Sequence, residues 1–222
     1  MNKFIGYGIL LLIYLGLSKS LSPSELGISY INSKESLSKL INGAPSTVIL
    51  TDIHSIGFLI KTYYHKYKVV HGFQSYEEII VRTSKQYSDS IKDYLGMSIF
   101  RRYPDGRETY TPLPPGSIFI GNLSFGKWLR HNSGDKIWRF FRVYRQIPTF
   151  LGWLDFQPTK ELHDMILIYE KENKPLHGLN NEFGLLGSIT KKKYTPYYER
   201  QKPQQIEIDR FLKNYLKENF IK

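Results

Sequence analysis

Residues 75–96, SYEEIIVRTSKQYSDSIKDYLG, are the stretch on which the architecture of this chain turns. Ser75 and Glu78 stand at capping-box spacing, in which a hydroxyl and a carboxylate each satisfy a backbone N–H left over at a helix start. Ile79, Ile80, Thr83, Tyr87, Ile91, Tyr94 and Leu95 then recur at intervals near three and four, and Gly96 closes the run. The spacing predicts one amphipathic helix from Ser75 to Leu95.

Before it, Thr47–Leu50 reads as a buried strand. Asp52 is placed to cap a helix with Ile56, Leu59, Ile60 and Tyr63 or Tyr64 along one face, and Lys68–Val70 reads as a second strand. Together these make a β-α-β unit. Residues 21–46 are polar and serine-rich, with one short helix expected over Glu35–Ile41 and closed by Gly43.

From Met97 the pattern changes to strands. Ser98–Tyr103 and Arg107–Thr111 flank a Pro104-Asp105-Gly106 turn, a hairpin signature, and Pro112–Pro115 interrupts the sheet. Ser117–Gly121 reads as a strand. Gly126–Arg130 and Lys136–Gln146 form a second hairpin around residues 131–135. Pro158 opens a helix to Asn173 with Leu162, Met165, Ile166 and Tyr169 inward. Lys174–Tyr194 is loop-like, and a final amphipathic helix is expected over 204–221. The fold class that follows is α+β: a single domain over 21–222, with a central antiparallel β meander flanked by helices.

The first twenty residues point to export. Lys3, the apolar run Phe4–Leu17 and the small-residue exits at Ser18 and Ser20 have the form of a secretory signal peptide, or of an uncleaved N-terminal anchor. The chain has no cysteine, which excludes disulfides, a thiolate nucleophile and cysteine-based metal sites. An exported protein of this size without disulfides fits the bacterial periplasm or cell envelope.

The net charge is +11, and it is unevenly placed. Residues 98–150 carry nine Lys/Arg against three acids, residues 191–222 nine against four, and residues 151–190 between them are net −3. Such a surface selects anionic partners. The richest binding segment is Lys127–Arg145, where Lys127, Arg130, Arg139, Arg142 and Arg145 alternate with Trp138, Phe140 and Tyr144. Strand alternation sets Trp138, Phe140, Arg142 and Tyr144 on one face. Aromatic faces stack on rings, and guanidinium forks hold phosphate or carboxylate.

A second candidate is the loop 176–184, with His177, Asn180, Asn181 and Glu182 between glycines. It supplies an imidazole, two amides and a carboxylate, and Asp155 is a candidate second acid. The six histidines form no HxH or HExxH pattern, the glycines form no phosphate-binding loop, and no serine-nucleophile motif opens a helix. No metal or cofactor is therefore expected.

The leading expectation is a non-catalytic, exported envelope protein that binds an anionic glycan, phosphate polymer or lipid headgroup through Lys127–Arg145. Nucleic acid is the poorer match for an exported chain. One alternative is an envelope hydrolase or transferase acting on a glycan or peptide through His177 and Glu182. Another is an assembly subunit that docks a protein partner through 204–221.

Overall fold

The computed structural model describes residues 3–21, 27–57, 61–72, 75–131 and 134–201. In chain order these form α1 (Lys3–Leu21), β1 (Tyr30–Ile31), α2 (Lys34–Ser38), β2 (Ser46–Ile56), β3 (Thr62–His71) and β4 (Ser75–Thr83). There follow α3 (Lys85–Ile91), β5 (Ser98–Arg102), β6 (Glu108–Thr109), β7 (Gly126–Arg130) and β8 (Lys136–Phe140). The last elements are α4 (Ile147–Leu151), α5 (Lys160–Lys171), α6 (Ser188–Lys193) and α7 (Thr195–Gln201).

A six-stranded sheet runs in the order β1-β4-β3-β2-β5-β6, and β7 and β8 form a separate two-stranded ribbon. Strands β2, β3 and β4 are a true antiparallel meander, β5 lies antiparallel on the other edge of β2, and β1 adds parallel to β4. The α+β class stands, but the sheet is centred on residues 46–83 rather than on 98–146.

The helix expected over 75–95 is instead a strand followed by a shorter helix. Ile79, Val81 and Thr83 alternate inward from β4 while Ile80 stays exposed, the two-residue period of a strand. The β-branched run Ile79-Ile80-Val81 suits that conformation. The capping residue is Ser84, whose hydroxyl accepts from Tyr87 N at 3.1 Å and starts α3. Glu78 caps nothing; its carboxylate reaches Lys66 Nζ of β3 at 2.6 Å.

The β-α-β reading of 47–70 is corrected in the same way. Strand β2 continues through Asp52 to Ile56 and turns back as β3, with a register shift between Leu50 and Asp52. Asp52 pairs with Arg200 and lies 3.8 Å from His54 Nδ1. Leu59 and Ile60 fall outside the described residues.

Ser117–Gly121 is not a strand but a series of tight turns, with Phe119 N and Ile120 N both donating to Gly116 O, at 2.8 and 3.1 Å. Gly116 has a φ of +83°, which a side chain would resist, and a Cβ there would run into Leu151. The strand expected over Lys136–Gln146 stops at Phe140 and passes into a 3₁₀ turn at Arg142–Tyr144. Arg142 and Tyr144 therefore do not continue the strand face of Trp138 and Phe140. The loop expected over 174–194 ends as α6. The hairpin at 98–111, the ribbon around 131–135 and the helix after Pro158 form where the sequence places them.

The sheet is buried on both faces, which explains the unbroken apolar run in β2. Val48, Leu50, Tyr67, Val69 and Val81 face one core with Leu37, Leu95, Phe100 and Tyr197. Ile49, Val70 and Met97 face the other, filled by Phe119, Trp138, Trp153, Leu162, Ile166 and Phe183. Two polar devices tie these layers together. Arg101 is fully buried and donates through Nη2 to Glu170 at 3.3 Å; that carboxylate also accepts from Tyr103 and Thr109, at 2.7 and 3.0 Å. This clamps α5 onto β5 and β6. His65, also fully buried, meets Tyr67 Oη at 2.8 Å and Ser88 Oγ at 2.9 Å.

Helix α1 exposes Phe4, Tyr7, Leu10 and Leu12, and none of these belongs to either core. Among the described residues no helix is long and apolar enough to cross a membrane. The helix expected over 204–221 lies outside the described residues.

Candidate functional site

The β7–β8 ribbon is set by its turn. His131 N donates to Asp135 O at 2.7 Å, and Gly134, at φ +93°, takes the dihedral the reversal needs. The register then places Lys127 opposite Arg139, Trp128 opposite Trp138 and Arg130 opposite Lys136. Gly126 stands opposite Phe140, where a Cβ would collide with the Arg139 carbonyl oxygen. The ribbon is anchored to the start of α5: Trp138 N donates to Pro158 O at 2.8 Å, and Ile137 bridges to Thr159. Thr159 in turn caps α5 by accepting from Leu162 N.

One face of the ribbon is aromatic and points inward. Trp128 meets Trp138 edge-on at 5.1 Å, Trp138 meets Phe140 at 6.2 Å, and the series continues from Phe140 to Trp153 and Phe156 at 5.5 and 5.7 Å. Trp138 is buried, and its Nε1–H has no hydrogen-bond partner among the described residues. Trp153 spends its own N–H on Pro115 O at 2.8 Å.

The opposite face carries Lys127 and Arg139 beside Leu129 and Ile137, and the tip carries Arg130 and Lys136 on the side of Trp128 and Trp138. Lys127, Arg130, Lys136, Arg139, Arg142 and Arg145 are all exposed. Among the described residues none of them forms an ion pair. Like charges directly opposite one another destabilise a two-stranded pair. Here two such pairs, Lys127 with Arg139 and Arg130 with Lys136, occupy one five-residue ribbon. Where the two faces meet, a groove of about 330 Å³ has Arg139 and Arg145 with Phe140, Trp153 and Phe156 among its walls. Of the expected binding residues, Trp138 and Phe140 serve the core and this groove, Tyr144 packs half-buried against Phe125, and the five cations remain on the surface.

The His177 loop is organised differently. A cavity of about 580 Å³ is lined by Asp93, His177, Asn181, Phe183 and Leu185. The His177 ring stands 3.3 Å through Nδ1 from the Phe183 carbonyl, which fixes that nitrogen as a donor. Glu182 does not line this cavity. Its carboxylate folds back to accept from Asn180 N and Nδ2, at 2.9 and 3.1 Å, and closes on Gly178. Asp155 is exposed and lies off the cavity as well. Thus His177 and Asn181 share a wall, whereas Glu182 and Asn180 complete a turn. No group of three or more His, Asp or Glu able to hold a metal occurs among the described residues.

Lys136 lies inside the segment singled out from the sequence but not among its expected binding residues, and the groove walls Trp153 and Phe156 lie beyond that segment. Lys136 was legible, since a turn over 131–135 puts it opposite Arg130. The approach of Trp153 and Phe156 depends on α4 and the chain leaving it, and carries no sequence signal. Against known proteins the chain matches no family model, no curated protein and no solved structure.

Proposed function

We propose that this chain is a non-catalytic module that binds an anionic component of the cell envelope through the β7–β8 ribbon. The observation that carries the reading is the facing of Lys127 with Arg139 and of Arg130 with Lys136, without acidic partners among the described residues. That arrangement costs stability in the free protein, and a polyanion that wraps the ribbon edge and tip relieves it. The groove beside Arg139 and Arg145 offers aromatic walls to the ligand's less polar parts. A phosphate polymer, an acidic glycan and an array of lipid headgroups all present repeated negative charge.

Export is part of the same proposal and rests on the other end of the chain. The apolar side chains of α1 stand outside both cores, as suits a segment whose role lies in targeting or attachment rather than in the fold. The enzyme reading has less support, because Glu182 is committed to its own turn and Asp155 lies off the His177 cavity.

The test is a titration of residues 21–222 with inorganic polyphosphate, followed by the tryptophan emission of the groove. Replacing Arg139 and Arg145 together by Gln is expected to weaken binding by about tenfold or more. His177→Ala is expected to leave it unchanged. Equal affinity for the double variant and the unaltered protein would dismiss the ribbon as the binding surface.

A further inference from the structure

The geometry points to a second ligand site, distinct from the ribbon: a cleft between the sheet and the α6–α7 segment that takes a phosphomonoester dianion between Lys68 and Lys193. The cleft holds about 270 Å³, and Lys66, Lys68, Glu78, Lys193, Tyr194 and Arg200 are among its walls.

Its charges do not balance. Arg200 pairs with Asp52, and Lys66 Nζ takes the close contact to Glu78 Oε2 at 2.6 Å. Lys68 Nζ is left 3.9 Å from the other oxygen of the same carboxylate, and Lys193 has no ion pair among the described residues. Two cations thus face the cleft in excess, the complement of one doubly charged head group.

The Lys68 ammonium is held in place, and the stem of the exposed Lys193 passes close to Gly152. The Lys68 side chain is only 15% exposed and its Nζ sits 4.6 Å from the centre of the Tyr76 ring. The Lys193 stem lies against Gly152, where even a Cβ would approach its Cε to 3.3 Å. Burial pushes the Lys68 ammonium below the ordinary lysine range, Glu78 opposes this, and the like charges of Lys193 and Lys66 add to it. An anion between them reverses that imbalance. Tyr194 and Tyr197 wall the same space and suit the short organic part of such an ester. The volume admits a phosphate with a few carbons, which favours a small free ester over a polymer.

The experiment is calorimetric titration of the full chain with glycerol 3-phosphate at constant ionic strength, with phosphatidic acid vesicles as a second arm. Saturable binding in solution is expected, weakened about tenfold or more by Lys68→Met and by Lys193→Ala. Lys193 is exposed, so its variant keeps the fold, and thermal unfolding verifies this for both. A response confined to vesicles, and lost in Lys193→Ala, assigns the same chemistry to a lipid headgroup. The proposal is overturned if neither probe binds, or if both variants bind as the unaltered protein does. Arg139→Gln is expected to leave this binding intact, so failure here and failure of the ribbon reading are separable.

Discussion

Lys127 and Arg139 stand directly opposite one another on the exposed face of the β7–β8 ribbon, and no carboxylate among the described residues pairs with either. Like charges at that position lower the stability of the ribbon, whereas an opposite-charge pair there is favourable. The pair fits a surface whose partner is negative.

Arg139→Glu therefore separates stability from binding. It converts the repulsion with Lys127 into attraction and is expected to raise stability by about 0.5 kcal/mol. The same change is expected to weaken polyphosphate binding. Urea unfolding and titration on one preparation read both effects. A loss of stability would show that Arg139 is held by structure rather than retained for a ligand.

The Arg101–Glu170 pair is expected to behave as a buried ion pair. Glu170→Leu leaves the fully buried Arg101 guanidinium without its carboxylate and is expected to cost roughly 3–5 kcal/mol. The double change Arg101→Met with Glu170→Leu is expected to recover most of that loss, since no charge is left buried. Denaturant midpoints of the two single variants and the double variant measure the coupling. Additive losses would show that the two residues act independently.

His65 is expected to make the fold acid-sensitive. Burial holds its imidazole neutral down to about 4 from the ordinary 6.5, with the nearby charge of His54 adding to the effect. Between those values the unfolded chain binds a proton that the folded chain refuses. Stability from this source is complete above pH 6.5, falls as the pH drops toward 4, and is level below that. The whole step amounts to roughly 3 kcal/mol. Urea midpoints at pH 7 and pH 4.5 measure it, and His65→Gln is expected to flatten the profile over that window.

The parts of the fold legible from sequence are those fixed by local chemistry. The 131–135 turn announces the ribbon, and Pro158 announces α5, whose cap is Thr159 and whose first residue is Lys160. Residues 75–96 were harder, because a strand and a helix share one continuous pattern there. Ile79, Ile80 and Thr83 fit a helical spacing as well as a pleated one, and Ser75 with Glu78 imitates a cap that Ser84 in fact supplies. Asp52 misleads in the same way, since its partner Arg200 comes from the far end of the described chain.

The site divides similarly. The cations and aromatics of the ribbon are consecutive enough to be found by reading alone. In the His177 loop the residue types were visible, but not that Glu182 would turn back onto Asn180 and Gly178. The pairing of Lys68 with Lys193 joins the middle of the sheet to α6, and only the fold brings them to one cleft.

The most direct test of the ribbon as an electrostatic binding surface is the salt dependence of its affinity for polyphosphate. The logarithm of the association constant is expected to fall linearly with the logarithm of salt concentration. Removing Arg139 alone is expected to reduce that slope by about one. A slope unchanged by Arg139→Gln, or affinity indifferent to salt, would contradict the account.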